Sequence, residues 1–206
     1  MYRARHKAGA CHLKARLLAM PVRWFIAALW LAWPAAGTSA TSEHVSPDTG
    51  LSSWKSGGDA LDFELLQVLP DYVRAVYSSR GLPKAVVDKV SSYCVFGTIL
   101  RNTTDRPLSY RVADWRYITP DGVRHRIRTK SEWVAEWRDM GVAFRWSMLP
   151  DDQTFAVGDW GQGFTTIALQ PGNRFALEYS WTQDDKTETR IIEEVRCAPI
   201  EPPDHD

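Results

Sequence analysis

Three cysteines, five histidines and four methionines are the soft or nucleophilic ligands this sequence offers, and their spacing restricts its chemistry. Only His44, His125 and His205 follow residue 40, and two of them fall in polar segments near the ends. A Ser-His-Asp or Cys-His catalytic unit would rest on His125 alone, between Arg124 and Arg126, and no G-x-S-x-G turn accompanies it. His125 therefore reads as a strand histidine. A Cu(I) site from Met140, Met148 and His125 would suit soft ligands, but a Met beside aromatics usually fills core space. Zinc wants four N/S ligands, or three and a water, which this inventory does not supply.

Carboxylates are plentiful but locally paired in ways that turns and helices already explain. Glu132 and Glu136 are one helical turn apart, and Asp151-Asp152 and Asp184-Asp185 are adjacent, as in turns. Glycosidase carboxylates face each other across a cleft, which no local spacing encodes. The segment Gly158-Asp159-Trp160-Gly161-Gln162-Gly163 lacks the G-x-x-x-x-G-K-[ST] spacing of a phosphate loop and reads as a bulge or close backbone approach. The chain is expected not to be an enzyme and to need no cofactor.

Ten tryptophans are the unusual feature, seven of them beyond residue 40: Trp54, Trp115, Trp133, Trp137, Trp146, Trp160 and Trp181. Trp dominates partner hot spots and stacks on sugar rings. Trp146, Trp160 and Trp181 lie in strand-like runs, which places them in a core. Trp133 and Trp137, with Glu136 and Arg138 beside them on a short helix, are the expected exposed pair. The candidate contact set is Trp133, Trp137, Arg138 and Trp160.

The elements that would carry these residues begin with an address label. Six basic residues (Arg3, Arg5, Lys7, Lys14, Arg16 and Arg23) precede the uncharged run Trp24 to Trp33, then Pro34 and a small-residue exit to Ala40. That is a secretory signal, expected to be cleaved near Ala40, with translation starting at Met1 or at Met20. Ten uncharged residues are too few to span a bilayer, and Cys11 lies upstream of the apolar run. The expected product is periplasmic, without stable membrane insertion. Of 25 basic and 25 acidic residues, 19 and 25 follow residue 40, a formal charge of −6. A nucleic-acid binder needs a basic surface, so that class is disfavoured.

Two thiols then remain, Cys94 and Cys197. Their spacing is not C-x-x-C, and in an oxidising compartment a structural disulfide is expected. Residues 41–58 read as a flexible lead-in, 59–92 as a helical segment and 93–198 as strands, the two together a single domain at 59–198. Residues 199–206 read as a flexible tail. In the helical segment Leu61, Leu65, Leu66 and Leu69 recur at helical spacing, Pro70 interrupts, and Tyr72, Val73, Val76 and Tyr77 share a face. From Cys94 short runs alternate at roughly ten-residue spacing, among them VAFRWSML and QTFAVGDW continuing into GFTTIAL, with one capped helix at SEWVAEWRDMG.

The stretch Gly97–Ile127, GTILRNTTDRPLSYRVADWRYITPDGVRHRI, resembles telokin-like, immunoglobulin-type domains of bacterial exported proteins. They share a strand ending in Asn, a polar Thr/Asp turn, and a strand leading to an x-Asp-Gly hairpin. The resemblance implies a fold and carries no functional residue. The expectation is a mainly β (α+β) protein: an immunoglobulin-like antiparallel β-sandwich with a short N-terminal helical segment. Its expected role is non-enzymatic binding of an extracytoplasmic protein partner through a Trp-rich surface. The alternatives are a glycan-binding module or, further off, a copper-handling protein.

Overall fold

The computed structural model describes residues 41–58 and 60–202. The expected signal segment 1–40, with its cleavage region and Cys11, and residues 203–206 of the tail lie outside the described residues. Two antiparallel sheets pack face to face as a sandwich. The first has the order β1 (Thr41–Val45), β2 (Ser52–Ser56), β3 (Leu61–Val68), β4 (Cys94–Asn102), β9 (Trp160–Ile167). The second is built on β10 (Arg174–Gln183), flanked on one side by β11 (Lys186–Arg196). On its other side lie β5 (Leu108–Arg111) and β6 (Arg116–Ile118), then β8 (Asp152–Phe155) and β7 (Arg124–Arg126).

Alternation writes the inner faces. Cys94, Phe96 and Leu100 of β4, and Phe175, Leu177, Tyr179 and Trp181 of β10, are buried in one apolar cluster between the sheets. Phe63 stacks on Tyr179 with ring centroids 4.2 Å apart, and Phe96 meets Phe175 edge-on at 5.7 Å. Each such ring contributes about 1.5–3 kcal/mol on burial. Cys94, opening β4, and Cys197, just after β11, form a disulfide across the two sheets, closing a sequence separation of 103.

Three helices cover part of the first sheet's outer face: α1 (Pro70–Ser79), α2 (Lys84–Ser91) and α3 (Lys130–Asp139). Val73, Tyr77, Val86, Val87 and Val90 join Trp133, Trp137 and Val95 in a second buried cluster. Pro70 starts α1 rather than merely ending a helix before it, since a first-turn proline loses no helical hydrogen bond.

The sequence expectation fails in five places. Residues 41–58 form β1 and β2 instead of a flexible lead-in. Their inward positions are Ser52, Trp54 and Ser56, and two buried serines conceal the strand period. Hydrogen bonds replace apolarity there: Tyr179 Oη donates to Ser56 Oγ at 2.9 Å, and Ser52 N–H to Gln67 Oε1 at 2.7 Å. Residues 61–68 are strand β3, not helix, because Leu61, Phe63 and Leu65 alternate inward between two hydrogen-bonded neighbours. The run LSYRVADWRYI is split by a 3-10 turn at Val112–Asp114, and QTFAVGDW–GFTTIAL is divided between sheets by Gly158, with φ +79°. Residues 141–148 hold no regular strand, and Ser147, at φ 78°, turns Trp146 and Met148 apart.

Candidate functional site

α3 decides the fate of the expected contact pair. Its cap is Thr129, whose side chain takes the Glu132 N–H while Glu132 Oε2 accepts the Thr129 N–H at 2.9 Å, a capping box. This fixes the helix phase so that Trp133 and Trp137 face the sheet. They are 0 % and 1 % exposed, and neither is a surface residue. Trp133 Nε1 donates to buried Thr166 Oγ1 at 2.9 Å, and the ring sits edge-on to Tyr93 at 4.9 Å. Arg128 lies over its other side, Cζ 3.8 Å from the ring centroid. Arg128 also pairs with Glu136, which takes Lys89 Nζ at 2.7 Å. Burial opposes the charge on Glu136 most strongly of any single effect. Its bonds to Lys89 and Arg128 together outweigh that and hold its carboxyl below the ordinary value.

The other two candidates stay at the surface. Arg138 is exposed on the outer side of α3, and Trp160 is 53 % exposed at the start of β9. Trp160 was read as core from its strand, but that strand's outer face is bare at this end. Trp146, expected inside, is 78 % exposed, while Trp181 is buried as expected.

Register places these residues. Directly opposed positions share a face, so Val68, Val95 and Thr166 make one outward row, and Leu66, Gly97 and Phe164 the next. Glu64, Ile99 and Gln162 make a third row, and Asp62, Arg101 and Trp160 a fourth. The helices cover the first row. Beyond it, a groove of about 1380 Å³ opens on the sheet, floored by Leu66, Ile99 and Phe164. Tyr72 and Val76 of α1 wall one side, and Phe144 and Trp146 belong to the 141–150 loop. Tyr72 is 60 % exposed although Val73 and Tyr77 beside it are buried.

The loop is anchored on both sides. Tyr77 Oη and Ser147 Oγ are 2.8 Å apart, and burial pushes the Tyr77 hydroxyl up to about 12 against the pull of that bond. Phe164 N–H donates to Ser147 O at 2.6 Å, and Leu149 N–H to Phe164 O at 3.0 Å. Gly163 makes this possible: a Cβ there would lie 2.4 Å from Leu149 N. The expected close backbone approach in the 158–163 segment is therefore found at Gly163. Gly97 is different. A Cβ there would meet Leu66 Cβ at an ordinary 3.7 Å, so packing does not demand glycine on the groove floor.

The rim is charged. Arg80, Lys130 and Asp48 line it, and Lys130 and Pro150 also border an adjoining depression with Arg138 and Arg145. Among the described residues Arg80, Lys130, Arg138 and Arg145 make no ion pair with an acidic side chain, whereas Asp151 accepts the Ser131 N–H at 3.1 Å. Pro202, in the tail, also lines the groove.

The metal and nucleophile candidates do not assemble here. His125 stacks on Tyr117 at 4.8 Å on β7, Met148 is buried under Tyr77 and Met140 is exposed after α3. Among the described residues no group of three or more His, Cys, Asp or Glu is placed to hold a metal. His44 sits in β1 rather than in a loose end. No helix among the described residues is long and apolar enough to cross a membrane.

Sequence reasoning missed the groove because Trp146 and Tyr72 sit in runs that look like ordinary apolar stripes. The legible sign was Gly97, a glycine inside a central strand. Set against family models, curated proteins and solved structures, the chain matches none of them.

Proposed function

We propose that this chain is an exported, non-enzymatic binding protein that engages a protein partner through the groove on the outer face of its first sheet. The carrying observation is Gly97. Glycine weakens a strand interior, and here no neighbouring atom of the fold needs its missing side chain. The space it leaves is the groove floor, beside exposed Trp146 and Tyr72. Large aromatics bordering an apolar depression are the composition of interaction hot spots. The disulfide and the basic-then-apolar N-terminal sequence support export. The resemblance of Gly97–Ile127 to telokin-like, immunoglobulin-type domains belongs to the same reading: β4 lies in one sheet, and β5, β6 and β7 in the other.

A glycan would use Trp146 and Trp160 as stacking platforms, with Gln162 between them as a hydroxyl partner, and is the second reading. A photo-crosslinking residue at position 146, compared with one at Thr187 on the far sheet, tests the proposal in the native compartment. A discrete protein adduct at 146 alone, lost when Gly97→Leu fills the floor, is the expected result. Equal labelling at both positions, or labelling at 146 that Gly97→Leu leaves unchanged, would overturn it.

A further inference from the structure

Apolar grooves take lipid chains as well as peptides, and the strand bordering this one discriminates between them. In β9, the N–H and C=O of Phe164 point away from β4, because they bond Ser147 O and Leu149 N. Strand geometry alternates this direction, so the same groups of Gln162 and Trp160 also point outward. The 147–149 segment ends its contact at Phe164, and among the described residues Gln162 and Trp160 have no backbone partner on that side. The result is a short open strand edge that begins where the loop leaves off. Gln162 itself lines the groove, and Trp160 stands exposed one row further out.

Charge narrows the partner. Arg80 and Lys130 on the rim, and Arg138 and Arg145 in the adjoining depression, are cations without an acidic partner among the described residues; Asp48 lies on the same rim, and Asp151, which accepts the Ser131 N–H, and Asp152 share the depression. Exposed edges normally invite strand addition and are blunted by local devices. The longest edge here carries one: β11 has a register shift opposite Phe175 and Leu177, with Glu194 at φ 55°. The β9 edge between Trp160 and Gln162 carries no bulge, because its pairing with β4 runs unbroken from Arg101 to Cys94.

Building on the groove reading, we infer that the partner presents an extended segment that adds as a strand to the outer edge of β9 at Trp160 and Gln162. Its outward-facing apolar side chains lie over Gln162 and lean toward Ile99 and Gly97 on the groove floor, and its acidic flank meets Lys130, Arg138 and Arg145. Main-chain bonds supply affinity in this mode and the pocket supplies selectivity.

A seven-residue peptide alternating Leu and Thr, with an Asp pair added at each end, is the probe, titrated against the disulfide-intact protein by tryptophan fluorescence. Three controls accompany it: the same peptide N-methylated at alternate residues, decanoate, and the protein variants Gly97→Leu and Lys130→Glu/Arg145→Glu. The expected result is saturable binding, weakened at least tenfold by N-methylation and lost in Gly97→Leu. It should also weaken in the charge-reversed variant and with added salt. An N-methylated peptide that binds as well as its parent overturns strand addition, and decanoate binding in place of the peptide assigns the groove to acyl chains. If no probe binds while the adduct at position 146 is still lost in Gly97→Leu, the strand-addition inference fails and the groove reading stands. If that adduct is also insensitive to Gly97→Leu, both fail.

Discussion

The outer face of the first sheet is one surface with two halves. Along β4, Val95 lies beneath Trp133 and the three helices, while two residues on Gly97 floors an open groove. The strands and their register are the same in both halves. What differs is the covering element: a capped helix that drives two indoles into the sheet, or an irregular loop that turns one indole out. Tryptophan count alone therefore says little about recognition. The element that carries the indole, and its phase, decide whether the ring stabilises the fold or meets a partner.

The sharpest way to break the covered half is Trp133→Ala. It removes a fully buried ring, its bond to Thr166 and the seat of Arg128, and should cost about 3–5 kcal/mol in denaturant unfolding. A cost below about 1 kcal/mol would mean the ring is not a core element. Thr129→Ala attacks the same half through the helix phase, and loss of the capping box should cost about 1 kcal/mol. In the open half, Trp146→Ala should leave stability within about 0.5 kcal/mol while weakening the adduct formed by a photo-crosslinking residue placed at Tyr72 on the groove wall. A large stability loss there would place Trp146 in the core after all.

The smallest effect is titration. Glu132 and Glu136 both have carboxyls held below their ordinary value of 4.5. For each, burial is the largest single influence and works the other way. The Thr129 N–H and Arg126 overcome it for Glu132, and Lys89 and Arg128 for Glu136. A depressed carboxyl contributes stability that is complete above its unfolded value and is lost as pH falls through the folded one. Unfolding free energy should therefore decline below about pH 4.5, and Glu136→Gln should flatten that decline. An unchanged slope in the variant would remove Glu136 from the linkage.

Much of this was legible in the sequence. Turn residues and alternation locate β4, β10 and β11, but the runs that hold β5 with β6 and β8 with β9 each read as one strand and VAFRWSML as a strand that does not form; cysteine arithmetic pairs Cys94 with Cys197. β2 was hidden because its inward neighbours of Trp54 are serines, whose burial depends on hydrogen-bond partners far along the chain. β3 was misread because Leu61, Leu65 and Leu66 satisfy both a helical and a strand period, and only pairing with β2 and β4 settles it. The site was legible in part. Arg138 and Trp160 remain exposed, but Trp133 and Trp137 are turned inward by a cap one residue earlier than Lys130, where α3 starts. Trp146 is turned outward by the left-handed backbone at Ser147, which composition does not announce.

The most direct test of the divided face is tryptophan-resolved fluorine NMR on protein labelled with 5-fluorotryptophan, each signal assigned by a single Trp→Phe variant, with a soluble gadolinium chelate added. Strong broadening of the Trp146 and Trp160 signals is expected, with none at Trp133 or Trp137. Broadening of Trp133 or Trp137, or a protected Trp146, would contradict the divided face.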